Sequence, residues 1–443
     1  MNHKTIDLIL SVSILFVAMA ACHFLGWSYF WGMLVGVTML VGMGVKYGCS
    51  LRELLKLLLR RITRTAIRSP TILYIGIITG IWRCSGTIPS CVDLCLQIIS
   101  PRWFYAAAFL TCSAFSLVLG SSLGVSGTLG VIFMSIARSA GANELLTAGA
   151  IISGAYFGDR CSPNSSCANL IATTTSTLLH KNIKNMLKTA ALPYILTALI
   201  FSFASFKGSS ALQRFSVINM ESCGLRLSPW TFLPVAATLI LPLLRVKTSR
   251  AMLTSIAVAL AISIFVQQHS ISDILRSCYS GYRFQEQWQL LNGGGIITTI
   301  GFYCIFLLSS TFMDLLNASG LSEGIEFIAG RLEKKLGRFL AVLITSIVNV
   351  MLFFNKTVGI SITIGMWESR YGEEKYKLAV DIENSSAVVA GLIPWCASTM
   401  GLFAFLDVDA QVIPYCAFLY LLPFCYCMTE KCFVIWQSPF TNQ

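Results

Sequence analysis

Residues 153–172 read SGAYFGDRCSPNSSCANLIA, a run of small and hydroxyl side chains around one carboxylate, Asp159. A Gly-Asp-Arg-x-Ser-Pro break is rare in a continuous membrane-spanning helix, because a freed backbone group or a charge costs several kcal/mol in hydrocarbon. Such a break is tolerated where it lines a cavity, and an acid at membrane depth indicates a functional site. The stretch therefore predicts a membrane transporter with an interrupted helix.

The composition supports a polytopic membrane protein. Hydrophobic residues make up 55% of the 443 residues and charged residues only 12%, about half the roughly 25% usual in soluble domains. The net charge of +12 is interpreted as the Lys and Arg excess of cytoplasmic loops, and nucleic-acid binding is not expected because no soluble basic module exists. The 16 cysteines and four histidines lack zinc spacing, so neither a zinc site nor a cofactor is predicted.

Apolar runs of spanning length predict an all-α chain with about 11–13 membrane elements. The runs fall at residues 6–25, 27–45, 70–90, 103–120, 125–140, 189–206, 229–245, 251–267, 294–313, 339–354, 385–405 and 411–429. Shorter apolar pieces at 145–158 and 356–367 are typical of half-helices or re-entrant segments.

Basic loops predict a multi-pass protein of the cell (inner) membrane with a cytoplasmic N-terminus. Segment 46–68 has seven Lys or Arg residues against a single acid, Glu53, and such loops stay in the cytoplasm. The same rule places residues 181–188, 245–250 and 331–338 inside, and loops 207–228 and 268–292 outside. Leucines opposite the basic row make 51–68 an amphipathic helix at the inner membrane surface, either a connector or a regulatory helix.

A weak internal repeat predicts two inverted halves. SLVLGSSLGVSGTLG (116–130) precedes Ser-Pro at 162–163, and MLFFNKTVGISITIG (351–365) precedes Ile-Pro at 393–394. Paired interrupted segments of this kind indicate a substrate site at the membrane midplane. The predicted units are residues 1–69 (two spans and the basic connector), 70–228 (first repeat) and 229–443 (second repeat). The expected helix-break residues are Gly120, Gly124, Gly127, Pro163 and Pro394.

The chain resembles the NhaC-type sodium/proton antiporter family. The matching stretches are IGIITGIWRCSGTIPS (75–90), GSSLGVSGTLG (120–130), TAGAIISGAYFGDRCSP (147–163) and IENSSAVVAGLIPWCAS (382–398). The resemblance implies an all-helical secondary transporter with two inverted halves that exchanges cytoplasmic Na+ for external H+. Some relatives exchange organic acids such as malate and lactate.

The resemblance also implies a set of site residues. Asp159 matches the Gly-Asp carboxylate of the family, and Glu383 matches the glutamate of its Leu-Glu-Asp pattern. The expected ion- or proton-binding residues are Asp159, Ser162, Ser165, Ser166, Asn169, Glu383 and Asn384. This chain departs from the pattern, because Ser166 and Asn384 stand where acids are expected, Cys396 replaces Asn, and Lys356 occupies a neutral polar position.

The chemistry of Na+ fits the first broken segment. Na+ is a hard cation that prefers oxygen ligands, and Asp159 with neighbouring serine hydroxyls and backbone carbonyls would provide them. If Na+ and H+ compete for one carboxylate, exchange follows without a separate gate. The simpler alternatives are that Asp159 is a structural partner of Arg160 or of a helix N-terminus, and that Glu383 is an interfacial charge beside Asp381 and Lys377.

Lys356 is the only charged residue between Arg338 and Glu368. Either its ammonium extends to the membrane interface, or it is a tethered cation that pairs with Asp159 or Glu383 and stands in for bound Na+. The tethered cation favours an alternative function for the same fold, exchange of a small organic anion or amino acid with weakened Na+ coupling.

A distant alternative is an intramembrane serine hydrolase. Residues 120–124 fit G-x-S-x-G, and residues 124–127 fit the G-x-S-G of rhomboid-like proteases, with His180 further along the chain. Close helix approach explains the Gly/Ser spacing better, and His180 falls at a predicted cytoplasmic edge. We therefore expect a transporter and not an enzyme, with Na+ and H+ or a small organic ion as substrates. A homodimer is one oligomeric state that the sequence allows.

Overall fold

The computed structural model describes residues 3–68, 70–98, 100–208, 224–244, 246–284, 292–318, 330 and 332–437. Within these ranges the chain is helical apart from short connections and one isolated β-bridge, Tyr282 to Gly293. The protein is therefore an all-α polytopic membrane protein, as the composition predicts. Parts of the loops predicted outside (209–223 and 285–291), and Arg245 and Arg331 of the predicted inner loops, lie outside the described residues.

The N-terminal unit contains three helices. They are α1 (His3–Phe24), α2 (Tyr29–Lys46) and α3 (Leu51–Arg68). The predicted amphipathic helix is thus present, and it begins with a capping box in which the Glu53 amide donates to Ser50 Oγ at 3.2 Å and the Ser50 amide donates to Glu53 Oε2 at 3.4 Å. Its buried Leu54 lies against Gly44 of α2.

Eight helices follow up to the first long loop. They are α4 (Thr71–Cys84), α5 (Thr87–Ile98), α6 (Phe104–Leu119), α7 (Ser122–Val125), α8 (Val131–Ala140), α9 (Glu144–Cys161), α10 (Ser166–Thr174) and α11 (Leu179–Gly208). A π-helical turn, Ser126–Gly130, joins α7 to α8. Turns of this type are frequent at functional sites.

Within the described residues after position 223, eleven further helices have defined bounds. They are α12 (Leu233–Leu243), α13 (Thr248–Phe265), α14 (Ile271–Ser280), α15 (Ile296–Ser309), α16 (Phe312–Ala318), α17 (Arg338–Phe353), α18 (Lys356–Tyr371), α19 (Lys375–Asn384), α20 (Ser386–Val389), α21 (Ala397–Leu406) and α22 (Ala417–Gln437). The α14 helix lies inside the segment predicted as an outer loop, 268–292.

Few helices of the described chain span a membrane in one piece. Tyr29–Lys46, Ser122–Ala140 and Leu179–Phe206 are long and apolar enough, and Lys375–Leu392 with Ala397–Leu406 forms a fourth, bent by 49°. Eight other apolar helices are 10–17 residues long. Several predicted spans are therefore divided: 70–90 at Gly86, 294–313 at Ser310–Thr311 and 385–405 at 393–396. Gly86 has a left-handed φ of +77°, which a helix does not accommodate. Pro394 lies in the non-helical residues 393–396, and its missing amide donor favours the break there.

The two halves share one order of elements. The 16-residue helices α6 and α17 each end in a left-handed residue, Gly120 (φ +67°) and Phe354 (φ +54°). A capped helix follows in each half, with Ser121 and Asn355 as N-caps. Each half later has a second break, at 162–165 and 393–396, before the short helices α10 and α21. The two predicted repeats and their inverted relation both stay predictions.

In each half the first helix break contacts the second, and the two halves also pack against each other. Gly120 lies against the backbone of Asn164 and Ser165, while the Ala397 amide donates to the Phe354 carbonyl at 2.8 Å. The α21 helix of the second half packs on the α7–α8 segment of the first, where a Cβ on Gly127 would lie 2.3 Å from Phe405. As a result of these contacts, the helix breaks lie close together in the protein.

Close packing of α6 on α9 positions the end of α9. Ideal Cβ atoms on Gly154 and Gly158 would lie 2.5 Å from the Phe109 carbonyl oxygen and 2.3 Å from the Leu117 amide nitrogen, respectively. Both obstacles are backbone atoms, which do not move aside as a flexible side chain does. Glycine at these positions lets the two helices touch along their length, and Asp159 directly follows the second one.

We expect Gly158→Ala to destabilise the protein by about 1–3 kcal/mol, because the new methyl group overpacks against the α6 backbone. Gly365→Ala is the matched control, since a Cβ on this α18 glycine meets nothing within 4 Å. Thermal unfolding of the purified variants in detergent measures the difference. Equal melting temperatures for the two variants would contradict the role of this contact.

Candidate functional site

The centre of the candidate site is a buried ion pair between the two halves. Asp159 lies near the end of α9, and Lys356 is the first residue of α18. Lys356 Nζ is 2.9 Å from Asp159 Oδ2, and the two side chains are only 11% and 10% exposed. Lys356 therefore does not extend to an interface; its ammonium lies on the carboxylate, as the tethered-cation hypothesis expects.

Two serine hydroxyls complete the surroundings of the Asp159 carboxylate. Ser122 of α7 donates to Asp159 Oδ2 at 3.0 Å, and Ser165 donates to Oδ1 at 3.3 Å. Ser165 is also the N-cap of α10, where its hydroxyl oxygen accepts from the Cys167 and Ala168 amides. Three separate interruptions of the helical path therefore converge on a single carboxylate.

The Lys356 ammonium also lies over an aromatic ring. Its Nζ is 5.0 Å from the centroid of Tyr156, one turn before Asp159 on α9. A cation at this distance is attracted to the ring face, more strongly when water is scarce. The Tyr156 hydroxyl lies 3.4 Å from Ser398 Oγ of α21 and is the donor. The ring therefore links the ammonium position to the second broken segment.

Arg160 provides a second buried cation, which is fixed by neutral acceptors. Its guanidinium donates to the Glu383 and Met186 carbonyls at 3.1 Å each, to Thr189 Oγ1 at 2.9 Å and to Asn384 Oδ1 at 2.5 Å. The residue is 1% exposed. Arg160 is therefore not the hydrogen-bonded partner of Asp159, and it ties α9 and α11 to the end of α19.

Glu383 is a buried acid without a hydrogen bond. It is 0% exposed, and within the described residues neither carboxylate oxygen has a donor. The charges of Arg160, Lys356 and Asp159 act on it through space. Glu383 is therefore not an interfacial charge. A buried polar group without a partner is costly, so this carboxylate is poised to receive a proton or a cation.

The other predicted residues have different surroundings. Ser162 is buried and accepts from the Asn164 amide at 3.1 Å, whereas Ser166 is exposed on α10. Asn169 donates to the carbonyls of Pro163 and Ser165, and so it stabilises the break. The oxygen of Asn384 is taken by Arg160. None of these contacts joins Asp159, and direct ligation by these four residues stays a prediction.

Sequence reasoning missed two contributors, Ser122 and Tyr156, and it named Arg160 only as a possible partner of Asp159. Ser122 is the central serine of the G-x-S-x-G stretch, whose spacing also fits a hydrolase motif. Tyr156 lies three residues before Asp159, on the same helix face, which is the available signal. No local pattern indicates the partners of Arg160, since Met186, Thr189 and Glu383 are distant in sequence.

The described residues do not form the alternative sites. Ser126 is fully buried and its hydroxyl has no partner within the described chain, while His180 is exposed on α11, so no Ser–His dyad is formed. The described ranges also contain no group of three or more His, Cys, Asp or Glu side chains arranged to hold a metal ion.

Comparison with known proteins decides the family. The model of the Na+/H+ antiporter family matches residues 4–174 and 154–429 of the chain. The chain belongs to the Na+/H+ antiporter family. As a member of this antiporter family, it is a multi-pass membrane transporter.

Individual antiporters are similar over most of their length. An uncharacterized Na+/H+ antiporter of Haemophilus influenzae is 27% identical over 80% of this chain and 79% of its own. The Na+/H+ antiporter NhaC of Bacillus subtilis is 27% identical over 79% of this chain and 80% of its own. A malate-2H+/Na+-lactate antiporter of Bacillus subtilis is 23% identical over 86% of this chain and 83% of its own.

Proposed function

We propose that the protein exchanges cytoplasmic Na+ for external H+ and that Asp159 is the carboxylate to which Na+ binds. The supporting observation is the surroundings of Asp159: a buried carboxylate, two hydroxyl oxygens and the Lys356 ammonium at the meeting point of the helix breaks. Membership in the Na+/H+ antiporter family supports the choice of ions.

Na+ would compete with the Lys356 ammonium for the same place. The oxygens of Asp159, Ser122 and Ser165 suit a hard cation, and carbonyls freed at the helix breaks add further ligands. When Na+ takes this place, the ammonium must leave, because two cations at one carboxylate repel each other. A buried ammonium without a carboxylate is costly, so Lys356 needs another partner.

Glu383 is the acid that would receive Lys356. In the Na+-free state Glu383 holds a proton and Lys356 pairs with Asp159. Na+ binding moves the ammonium to Glu383, and the proton leaves. The total formal charge of Asp159, Glu383, Lys356, Arg160 and any bound Na+ is therefore the same before Na+ binds and after the proton has left. The exchange of one Na+ for one H+ therefore adds no buried charge.

A second candidate function is exchange of a small organic anion or amino acid. It is favoured by one observation, the presence of Lys356 in the position that a bound Na+ would occupy. If the ammonium never leaves Asp159, the site needs no Na+. The similarity to a malate-2H+/Na+-lactate antiporter is compatible with this candidate.

Asp159→Asn should reduce Na+/H+ exchange to the level of protein-free vesicles, because the asparagine amide has no negative charge to bind Na+ or H+. The measurement is Na+-driven pH change in proteoliposomes. Asp93→Asn is the matched control, since Asp93 bonds only to Gln97 within the described residues. Wild-type flux in the Asp159 variant, with an unchanged elution profile, would contradict the assignment of Asp159.

Lys356→Gln should lower the KM for Na+ by about tenfold, equivalent to roughly 1.4 kcal/mol, because the competing ammonium is removed. Lys377→Gln is the control, since Lys377 pairs with Glu430 at 3.3 Å, away from this carboxylate. An unchanged KM would contradict competition at Asp159. Na+ dependence in the variant, with none in the wild type, would favour the organic-ion exchanger.

Glu383→Gln should abolish proton release when Na+ binds, because the glutamine has no proton to exchange and cannot receive the ammonium. A pH indicator follows proton release from purified protein on addition of NaCl, with choline chloride as the reference salt. Glu144→Gln is the control, because Glu144 pairs with Arg138 at 2.9 Å at the start of α9. Proton release equal to wild type would exclude Glu383 as the proton carrier.

A further inference from the structure

A second charged site lies on the amphipathic helix α3. A cavity of about 370 Å³ is present between α3 and α16, which is within the size range of small-ligand sites. Its lining residues are Glu53, Lys56, Leu57, Arg60, Arg61, Arg64 and Asp314. Four cations thus face two acids in one cavity, a local excess of positive charge that the exchange site does not use.

Three of these cations form a row of like charges. Lys56, Arg60 and Arg64 are spaced four residues apart, so each lies one turn above the next. Like charges at this spacing destabilise a helix. Within the described residues none of the three has a carboxylate partner. An anion bound along the row would remove this repulsion, which is a physical reason for the cavity to hold one.

The two acids of the cavity already have partners. Asp314 Oδ2 is 3.5 Å from Arg61 Nε, and Glu53 accepts from the Ser50 amide in the capping box. Arg61 Nε also donates to the Ser310 carbonyl at 3.1 Å. The acids therefore do not neutralise the row formed by Lys56, Arg60 and Arg64.

A neighbouring face of α3 is apolar and uncovered. Leu51, Leu55 and Leu59 are 53%, 48% and 65% exposed, whereas Leu54 and Leu58 are buried against the protein. An amphipathic helix with an uncovered leucine face and a basic face lies in the membrane interface and attracts anionic lipid. The basic-loop rule places this helix at the inner leaflet.

We propose that the α3 cavity binds the phosphate headgroup of an anionic phospholipid of the inner leaflet. Lys56, Arg60 and Arg64 hold the phosphate, and the acyl chains extend beside the exposed leucines. The leucine face distinguishes a lipid from a soluble anion, because only a lipid uses both surfaces. This site is separate from the Asp159 centre and requires nothing of the exchange reaction.

The bound headgroup would also strengthen the attachment of α3 to the transport unit. Thr65 Oγ1 donates to Ser310 Oγ at 3.0 Å, and the Tyr303 hydroxyl donates to the Ala66 carbonyl at 3.2 Å. These bonds, with the Arg61 contacts, join α3 to the end of α15 and to α16. Removal of the repulsion along α3 stabilises the helix that makes these contacts.

The test compares phosphatidylglycerol binding by the full-length wild type and by two variants. Arg60→Gln removes the middle cation of the row, and Arg52→Gln is the matched control, an exposed arginine of the same helix that does not line the cavity. Native mass spectrometry in detergent with added phosphatidylglycerol gives the affinities. We expect binding to be about fivefold weaker for Arg60→Gln than for the wild type and for Arg52→Gln.

Equal phosphatidylglycerol binding by Arg60→Gln and Arg52→Gln would overturn the proposal. Inorganic phosphate and phosphatidylcholine form the other arms. Displacement of phosphatidylglycerol by millimolar phosphate alone would assign the cavity to a soluble anion, and equal binding of phosphatidylcholine would assign it to lipid packing without charge. Either result overturns the anionic-lipid assignment, and neither depends on whether the protein exchanges Na+ for H+.

Discussion

The ion pair between Asp159 and Lys356 is the interaction on which the arrangement of the transport unit depends. The two residues come from different halves of the chain, and their side chains are about one-tenth exposed. Two charges held in a membrane protein interior are tolerated only when each offsets the other and the remaining lone pairs are hydrogen-bonded. Ser122 and Ser165 provide those bonds. Loss of either charge would leave the other without compensation, so this pair constrains how α9 and α18 pack.

The interrupted helices are the structural condition for that pair. Gly120 and Phe354 end α6 and α17 in the left-handed conformation, and the breaks at 162–165 and 393–396 free backbone groups beside them. Glycines let the surrounding helices approach to backbone contact. Within these breaks the side chains of Ser162, Ser165, Ile393 and Cys396 are buried in the protein. Arg160 satisfies several of the carbonyl and side-chain oxygens in the same region. Glu383 remains without a donor among the described residues, which makes it the least satisfied acid of this centre.

The pattern of the sequence predicted the all-α class, the amphipathic α3 and the first break with Asp159. These features depend on local composition: apolar run length, the Leu and Arg periodicity, and a Gly-Asp-Arg-x-Ser-Pro string that no spanning helix favours. The same run lengths overestimated continuous spans at 70–90, 294–313 and 385–405. Hydropathy averages over a window and does not detect a helix interruption within an apolar run, such as the turn at Gly86 or at Ser310–Thr311.

The sequence by itself determined which residues are the candidates for the chemistry, because Asp159, Glu383 and Lys356 are rare charges in long apolar surroundings. Only the tertiary structure decided their partners. It brings Lys356 to Asp159 across 197 positions of the chain, adds Ser122 and Tyr156, directs Arg160 away from the adjacent acid and leaves Glu383 unpartnered. The reason is physical: hydrophobicity and helix-breaking propensity are local properties, whereas the pairing of buried charges depends on how distant helices pack. Burial then requires each charge to be paired or hydrogen-bonded, and in this structure Lys356 is the charged partner of Asp159.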